Sequence, residues 1–270
     1  MIAVAKAHAY GNDFLFVPAD EVEGRALDEL SRRLCARHTG IGGDGVIYYT
    51  TAPDGSARMK LINADGSPSE LSGNGLRCLA ALVLHQRRAA GLSPVTEVRV
   101  DTDAGWKTLR LVSRQAGRQT FRAAMGQPER IAEETLEVEG ETLRVSTLAM
   151  GNPQCVSIVH ELPDLTRFNR LGPALATHPR FAAGTNVEFA VVEAPDRVRI
   201  LIWERGVGPT MASGTGACAA AIAACAHAGA ARDVEVIAPG GTQRVEWREE
   251  GVFLTGWAEV VLDGQAVLTI

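Results

Sequence analysis

The chain has 270 residues, of which 46% are apolar and 22% charged, and its formal net charge is −5 at pH 7. This composition is typical of a folded globular protein, and the length predicts two domains, since a domain usually has about 100 to 150 residues. The lysines and arginines are scattered, so no basic patch for nucleic acid or an anionic membrane is predicted. A small molecule is therefore the expected partner.

The five cysteines occur at irregular spacings without a CxxC pair, which argues against a disulfide framework or a zinc site. The histidines lack HxxH spacing, so no metal site is predicted. Residues 1–8 alternate like a strand and do not resemble an export signal. The longest apolar run, residues 217–226, is far shorter than the ~20 residues that span a bilayer. We expect a cytoplasmic protein without membrane contact.

Taken in chain order, the sequence predicts many short strands and a few helices. In the first half these are a strand at the start, a helix over 26–37, a strand over 59–63, a helix behind the turn 72–75, and strands over 96–102 and 108–112. In the second half they are strands over 144–149 and 155–159, a helix over 165–176, strands over 187–192 and 197–203, a helix behind the turn 213–216, and strands over 234–237, 243–249 and 258–262. This pattern favours α+β domains over βαβ units.

Two sequence signals recur at one separation. Gly11-Asn12 returns as Gly151-Asn152 after 140 residues, and Ser72-Gly73-Asn74-Gly75 returns as Ser213-Gly214-Thr215-Gly216 after 141 residues. The shared offset predicts duplicated halves, residues 1–115 with a returning strand near 257–270, and residues 116–256. No linker rich in proline or serine separates them, so the turn at 115–117 is the expected boundary; a strand that crosses between the halves would need no linker.

Each SGxG turn precedes an alanine-rich helical run, with serine in the N-cap position. The first turn of a helix offers about four free N–H groups and a partial positive charge, which bind carboxylates. One such turn most often only caps its helix. Two copies facing a cleft between domains would hold one carboxylate between two helix ends. They would place Ser72 and Ser213 on opposite faces of the ligand, as inversion of a carbon centre by an acid and a base requires.

Polar residues precede both turns at similar distances. Asn63 lies nine residues before Ser72, and Glu204 lies nine residues before Ser213, followed directly by Arg205. The Glu-Arg pair is interpreted equally well as a structural ion pair or as a clamp for a ligand carboxylate, which arginine binds in bidentate fashion.

Together these motifs resemble the diaminopimelate epimerase family, whose members interconvert LL- and meso-diaminopimelate without a cofactor. The resemblance covers nearly the whole chain and is carried by Tyr10-Gly11-Asn12-Asp13-Phe14, the run from Arg37 to Gly45, Asn63-Ala64-Asp65-Gly66-Ser67, Gly73-Asn74-Gly75-Leu76-Arg77-Cys78, Gly151-Asn152-Pro153, Asn186, Glu204-Arg205-Gly206 and Gly214-Thr215-Gly216. It implies an α+β fold of two pseudo-symmetric domains, each a mainly antiparallel sheet or barrel around a central helix, with a ligand cleft between them.

The resemblance also implies roles for individual residues. Both helix N-termini are expected to bind the reacting α-carboxylate, with donors from Gly73, Asn74, Gly214 and Thr215. Substrate contacts are further expected from Asn12, Asn63, Asn152, Asn186, Glu204 and Arg205; four of these, Asn63, Asn152, Asn186 and Arg205, would hold the distal amino-acid centre. Glu204 would lie near the reacting α-amino group and join Ser72 and Ser213 in catalysis. A homodimer is expected on the same ground.

The sequence departs from the family pattern at the positions expected to carry out catalysis. Family members carry cysteine at both turns, where this chain has Ser72 and Ser213, and histidine where it has Gln154. A thiol has a pKa of about 8.5 that a helix N-terminus lowers, whereas an alcohol reacts only when an adjacent base activates it. We expect no rescue from Cys78 or Cys218, because each lies more than a turn inside its helix.

Three interpretations follow. The chain is a Cys-to-Ser variant made to trap substrate, although the change at Gln154 argues against this. It is a paralogue that epimerises an amino acid with Ser72 and Ser213, helped by Glu204, Asp65 or a water. Or it is an amino-acid-binding protein that has lost turnover. The intact binding residues favour the epimerase, which would supply meso-diaminopimelate to lysine and peptidoglycan precursor biosynthesis.

Overall fold

The computed structural model describes residues 1–267, which form two compact units. The first comprises Met1–Ala123 and the residues from Gly256 onward, and the second comprises Ala124–Thr255. The turn at 115–117 is the tip of a hairpin, with φ of 48° at Ala116 and 84° at Gly117. The boundary between the two units falls between Ala123 and Ala124, within the strand Arg118–Gly126 that follows this hairpin. Residues 268–270 of the expected returning strand lie outside the described residues.

The first part of the chain contains eight strands and two α-helices among its described elements. They are β1 (Ile2–Ala9), β2 (Asn12–Pro18), a 3₁₀ helix (Ala19–Val22), α1 (Leu27–Cys35), β3 (Gly45–Thr51), β4 (Ala57–Asn63), β5 (Pro68–Ser69), α2 (Gly73–Ala89), β6 (Glu97–Asp101), β7 (Lys107–Gln115) and β8 (Arg118–Gly126).

The rest of the described chain repeats this order after one added strand. It comprises β9 (Glu129–Val138), β10 (Glu141–Ala149), β11 (Pro153–Ile158), α3 (Leu165–Ala176), β12 (Asn186–Ala194), β13 (Arg197–Glu204), β14 (Gly208–Thr210), α4 (Gly214–His227), β15 (Asp233–Ala238), β16 (Gly241–Arg248) and β17 (Gly251–Ala266). The succession from β1 to β8 thus recurs from β10 to β17, with α1 and α2 matched by α3 and α4. This confirms the predicted pseudo-symmetry.

In the first unit, eight strands close into a barrel. Neighbours pair in the order β1, β2, β3, β4, β6, β7, β8 and β17, and β17 pairs with β1 to complete the ring. Helix α2 packs against β1, β2, β6 and β7, and its residues 74–84 are all buried. A helix that is buried on every side must be apolar all round, which explains its run of leucine, alanine and valine.

The second unit has the same neighbour order along β9, β10, β11, β12, β13, β15, β16 and β17. Helix α4 contacts β10 to β13, β15 and β16, and residues 216–224 are buried. Its side chains are mostly alanine, so the backbone approaches the surrounding strands closely. The start of β17 pairs with β16 here, whereas its later residues pair with β1 in the first unit.

The predicted α+β class is confirmed, but the expectation that βαβ units are absent was wrong. Each helix connects two strands that pair in parallel, which are β2 with β3, β4 with β6, β11 with β12, and β13 with β15. These are βαβ connections, which the sequence argued against. The other strand pairs with a defined residue register are antiparallel, and hairpins therefore dominate the local pattern. A parallel neighbour is reached only through a helix and leaves no short-range signal.

The sequence prediction missed six of the described strands, which are β2, β3, β5, β8, β9 and β14. Most residues of β9 are exposed, so its charged side chains conceal the strand pattern. Within residues 1–267, none of the helices has the length and hydrophobicity needed to cross a membrane.

Helix α3 packs on the outer side of β12 and β13 through an aromatic cluster of Phe168, Phe189 and Trp203. Gly172 faces the Trp203 ring, and a Cβ added there would lie 2.7 Å from Cε3 and 2.8 Å from Cδ2. The close approach of helix and indole therefore requires glycine at this position.

Replacing Gly172 with alanine is expected to destabilise the protein. Overpacking costs about 1–3 kcal/mol, which exceeds the gain of about 1 kcal/mol in helix propensity. The denaturation midpoint of Gly172→Ala should fall accordingly. Gly264→Ala is the matched control, because its added Cβ meets nothing closer than 4.0 Å. Equal midpoints for the two variants would contradict the packing described.

Candidate functional site

The N-terminus of α2 is capped by Ser72. This residue is extended, with φ of −130° and ψ of 121°, and its Oγ accepts a hydrogen bond of 3.0 Å from the Gly75 N–H. A Cβ on Gly75 would lie 2.8 Å from Ile47 Cδ1 on β3. Glycine is thus required for the first turn of α2 to lie against the barrel wall. The predicted cap is confirmed in this unit.

Asn12 and Asn74, both predicted to contact substrate, are brought together here. Asn74 Nδ2 donates to Asn12 Oδ1 over 3.0 Å, and Asn12 Nδ2 donates to Asp44 Oδ2 over 2.7 Å. Asn74 Oδ1 accepts a short hydrogen bond from Arg77. The first turn of α2 is therefore connected through amides to the loop before β3.

Arg77, which donates to Asn74, is a buried charged residue with 1% of its surface exposed. Its guanidinium lies 5.8 Å from the centroid of the Tyr10 ring, and the Tyr10 hydroxyl accepts a hydrogen bond of 3.1 Å from the Trp257 N–H. Tyr10 itself has φ of 58°, in the left-handed region. The Tyr10-Gly11 turn is thus held by contacts with both α2 and β17.

A network of ion pairs stabilises the loop before β3. Asp13 Oδ2 lies 2.8 Å from Lys6 Nζ, and Asp13 Oδ1 lies 3.0 Å from Arg37 Nη2, which also contacts Asp44 at 2.8 Å. Burial acts to raise the pKa of Asp13, but the hydrogen bonds and charges of Lys6 and Arg37 outweigh it and lower that pKa. The carboxylate therefore stays ionised and fixes β1, β2 and the loop before β3.

Asn63 is the last residue of β4 and the first residue of a tight turn. Its Nδ2 donates to Ser67 Oγ over 3.0 Å, and Ser67 in turn donates through both its hydroxyl and its N–H to Asp65. These donors lower the pKa of Asp65. An ionised, hydrogen-bonded Asp65 is a poor proton acceptor, which weakens its candidacy as an auxiliary base.

The second unit repeats the capped helix. Ser213 has φ of −131°, is 5% exposed, and its Oγ accepts a hydrogen bond of 3.2 Å from the Gly216 N–H. The same Oγ lies 3.5 Å from Thr215 Oγ1. Both predicted serine caps therefore have one geometry, although Ser213 is the more deeply buried.

Four polar residues of the second unit form two hydrogen-bonded pairs, Asn152 with Gln154 and Asn186 with Arg205. Gln154 Nε2 donates to Asn152 Oδ1 over 2.6 Å, and Gln154 pairs in register with Asn186 on the neighbouring strand. Asn186 Oδ1 accepts from the Arg205 N–H over 2.9 Å, which leaves the amide group of Asn186 as a donor. Arg205 Nη1 donates to the carbonyl of Ala183 over 2.6 Å. Gln154 therefore takes part in positioning Asn152.

Sequence reasoning missed Glu188, which has none of its surface exposed. It pairs in register with Val156 on one side and Ile202 on the other, on the sheet face that α4 covers. A Cβ on Gly216 would collide with Glu188 Oε1 and would lie 3.2 Å from Ser213 Cβ. The carboxyl group thus adjoins the first turn of α4, next to the cap.

Glu188 is held in a setting that disfavours its charge. Among residues 1–267, neither carboxyl oxygen has a hydrogen-bond partner. Burial, followed by the negative charge of Glu204, raises the pKa of Glu188 well above its ordinary value of 4.5. The protonated acid is therefore favoured. In the sequence, the sign of a buried acid was a glutamate among the apolar residues of β12.

The cysteines do not occupy either cap. Cys78 is fully buried inside α2, and burial raises the pKa of its thiol to about 12. Burial likewise raises the pKa of Cys35 to about 12, and that of Cys155 is raised by burial and then by Glu188. Such thiols are poor nucleophiles and poor bases.

Comparisons with known proteins agree with these features. The family model described as diaminopimelate epimerase matches residues 4–131 and 146–261. The diaminopimelate epimerase of Desulfitobacterium hafniense is 38% identical over 280 residues, covering 97% of this chain and 96% of its own. That of Desulforudis audaxviator is 39% identical, covering 97% and 98%. A probable proline racemase from Agrobacterium radiobacter has a similar fold, with a TM-score of 0.72 at 16% identity over 99% of this chain and 93% of that one.

The buried acid gives a stability prediction. A folded-state pKa above the unfolded value means that the folded protein retains the Glu188 proton as pH rises past about 4.5, so its stability falls through that window. Glu188→Gln removes this loss. The melting temperature of Glu188→Gln minus that of the wild type should therefore increase with pH above about 4.5.

Glu193→Gln is the matched control on the same strand, because Glu193 is exposed and its pKa is lowered by a hydrogen bond from Arg199. Its melting-temperature difference should not rise with pH. A pH-independent difference for Glu188→Gln would show that the carboxyl is not buried as described.

Proposed function

Because the chain belongs to the diaminopimelate epimerase family, we propose that it interconverts LL- and meso-diaminopimelate, or a closely similar amino acid, by proton transfer at the α carbon without a cofactor. The family assignment makes the chain an isomerase of the amino-acid epimerase type. The observation that most supports the proposal is the duplicated cap, in which Ser72 and Ser213 both accept a hydrogen bond from the third residue of a buried helix.

The α-carboxylate of the substrate would bind the first turns of α2 and α4. The N–H groups of Gly73 and Asn74, and of Gly214 and Thr215, belong to the part of each helix that has no carbonyl partner within the helix. The helix dipole favours an anion at the same place. A carboxylate bound there also stabilises the negative charge that develops when the α proton leaves.

The remaining polar residues would hold the amino groups and the distal centre. In the second unit Asn152 is hydrogen-bonded to Gln154, and Asn186 to Arg205, while Asn12 and Asn63 belong to the first unit. Glu204 is a partly exposed carboxyl at the end of β13, suited to accept hydrogen bonds from the reacting α-ammonium group. These assignments follow the family motifs residue by residue.

Catalysis would use Ser72 and Ser213 as the acid and base. One serine oxygen takes the α proton while the C–H electron pair stays on the α carbon, and the other hydroxyl delivers a proton to the opposite face. An alcohol is a much weaker acid than a thiol, so turnover is expected to be slower than with cysteine. The loss of both thiols favours one second candidate, a protein that binds the amino acid without turning it over.

The family also suggests the biological setting. We propose that the product serves lysine and peptidoglycan precursor biosynthesis, and that the protein acts in the cytoplasm as a homodimer. Its small-molecule partner would be the amino-acid substrate alone.

Proton exchange in D2O tests the proposed reaction. Stoichiometric protein incubated for hours with LL-diaminopimelate should replace the α hydrogen with deuterium faster than a buffer control, as followed by proton NMR. Ser72→Ala and Ser213→Ala should each slow exchange by about 10²-fold or more, since acid–base catalysis contributes that much. Ser113→Ala, an exposed serine on β7, is the matched control and should exchange like the wild type.

The possible failures are distinct. Absence of exchange in the wild type, with retained binding of the amino acid, would exclude the epimerase and leave the binding protein. Full exchange in both cap variants would show that the serines are not the acid and base.

A further inference from the structure

The two duplicated units differ at one buried position beside the cap. Glu188 corresponds to Ile47 by the offset of 141 residues that relates the two SGxG turns. The strand pairing agrees, because Ile47 pairs with Leu61 on β4 and Glu188 pairs with Ile202 on β13. Ile47 packs against Gly75 in α2 as Glu188 packs against Gly216 in α4. The fold therefore accepts an apolar side chain at this place.

A carboxyl group at this buried position lowers the stability of the folded protein. Burial of a polar group without a hydrogen bond costs roughly 1–3 kcal/mol in proteins, and burial of its charged form costs more. Glu188 gains no hydrogen bond from the described residues in return. Perturbed acids of this kind cluster where a proton has to be held or moved. Packing alone would be served by the isoleucine of the other unit.

Among residues 1–267, no positive charge contributes to the pKa shift of Glu188. Glu204 on β13 is the charged group that acts on it, and it is negative. The Cys155 thiol on β11 has a pKa raised by burial and by Glu188, and the Cys218 thiol lies buried within α4. On its own strand, Asn186 is uncharged. Glu188 is therefore poised to keep or exchange a proton rather than to form an ion pair.

We propose that Glu188 is a positioning residue that exchanges a proton with the Ser213 hydroxyl, and so supplies the base that an alcohol needs in place of a thiol. This inference rests on the proposed epimerase function. Ser213 Cβ and Glu188 Oε1 both adjoin Gly216 in the first turn of α4. In the proposed exchange, the Ser213 side chain rotates and turns its hydroxyl out of the cap towards the carboxyl. A substrate carboxylate that accepts the Gly216 N–H would replace the hydroxyl in the cap.

The proton steps balance without any further reagent. When Ser213 acts as the base, its oxygen takes the α proton while its own hydroxyl proton passes to the Glu188 carboxylate; the C–H electron pair remains on the α carbon. When Ser213 acts as the acid, its proton goes to the α carbon and the Glu188 carboxylic acid restores it. In that direction Glu188 must hold a proton, so the rate falls as pH rises through the pKa of Glu188.

A double-mutant cycle with cysteine separates this role from packing. Glu188→Gln should lower the kcat for α-proton exchange by about 10²-fold or more with little change in KM. In the Ser213→Cys background the thiol needs no such partner, so adding Glu188→Gln should change kcat by less than about threefold. The residual rate of Glu188→Gln should also lack the pH dependence that Glu188 gives the wild type, which is a decrease at high pH when Ser213 is the acid and an increase when Ser213 is the base. Glu193→Gln on the same strand should behave like the wild type.

The possible results distinguish a failure of the Glu188 role from a failure of the serine-based reaction. Equal losses from Glu188→Gln in the serine and cysteine backgrounds, or a loss below about threefold with serine present, would overturn the role of Glu188 while the epimerase stands. No exchange by the wild type, with rapid exchange by Ser72→Cys/Ser213→Cys, would instead overturn the serine-based reaction and the role of Glu188 with it. Circular dichroism of each variant verifies folding.

Discussion

The hydrogen bond from the third helical N–H to a serine cap is the interaction on which the two central helices depend. Ser72 and Ser213 are extended where the helix begins, so each ends a loop and starts a buried helix in one step. Gly75 and Gly216 then allow the first turn to lie against a strand. An N–H that a hydroxyl caps is also one that a ligand oxygen can take. Fold and proposed chemistry thus share the first turn of each helix.

The duplicated units are alike in topology but differ in what they bury. The first places the Arg77 guanidinium within α2, at the position that corresponds to Cys218 in the second. The second places a carboxyl at Glu188, where the first has Ile47. One cap therefore lies beside amides and the Arg77 guanidinium, and the other beside a buried carboxyl whose pKa is raised by burial. Unequal partners suit a reaction in which two similar side chains perform opposite proton transfers.

Local signals in the sequence predicted the parts that local physics controls. The serine caps, the glycine turns and α3 follow from short patterns, and the repeat of SGxG predicted the duplication. Residues brought together through parallel strand pairing were not predictable in this way. Asp44 joins Asn12 only because β3 lies beside β2. Glu188 becomes significant only once α4 covers β12, since in sequence it is one polar residue in an apolar strand.

In the proposed epimerase, both capped helix ends bind one amino-acid ligand. The most direct measurement follows the backbone amide resonances of Gly75 and Gly216 during titration with meso-diaminopimelate. Both amides are expected to shift and to saturate with the same Kd, because one ligand carboxylate would accept hydrogen bonds at both first turns. Binding that shifts only one of these amides, or neither, would contradict it.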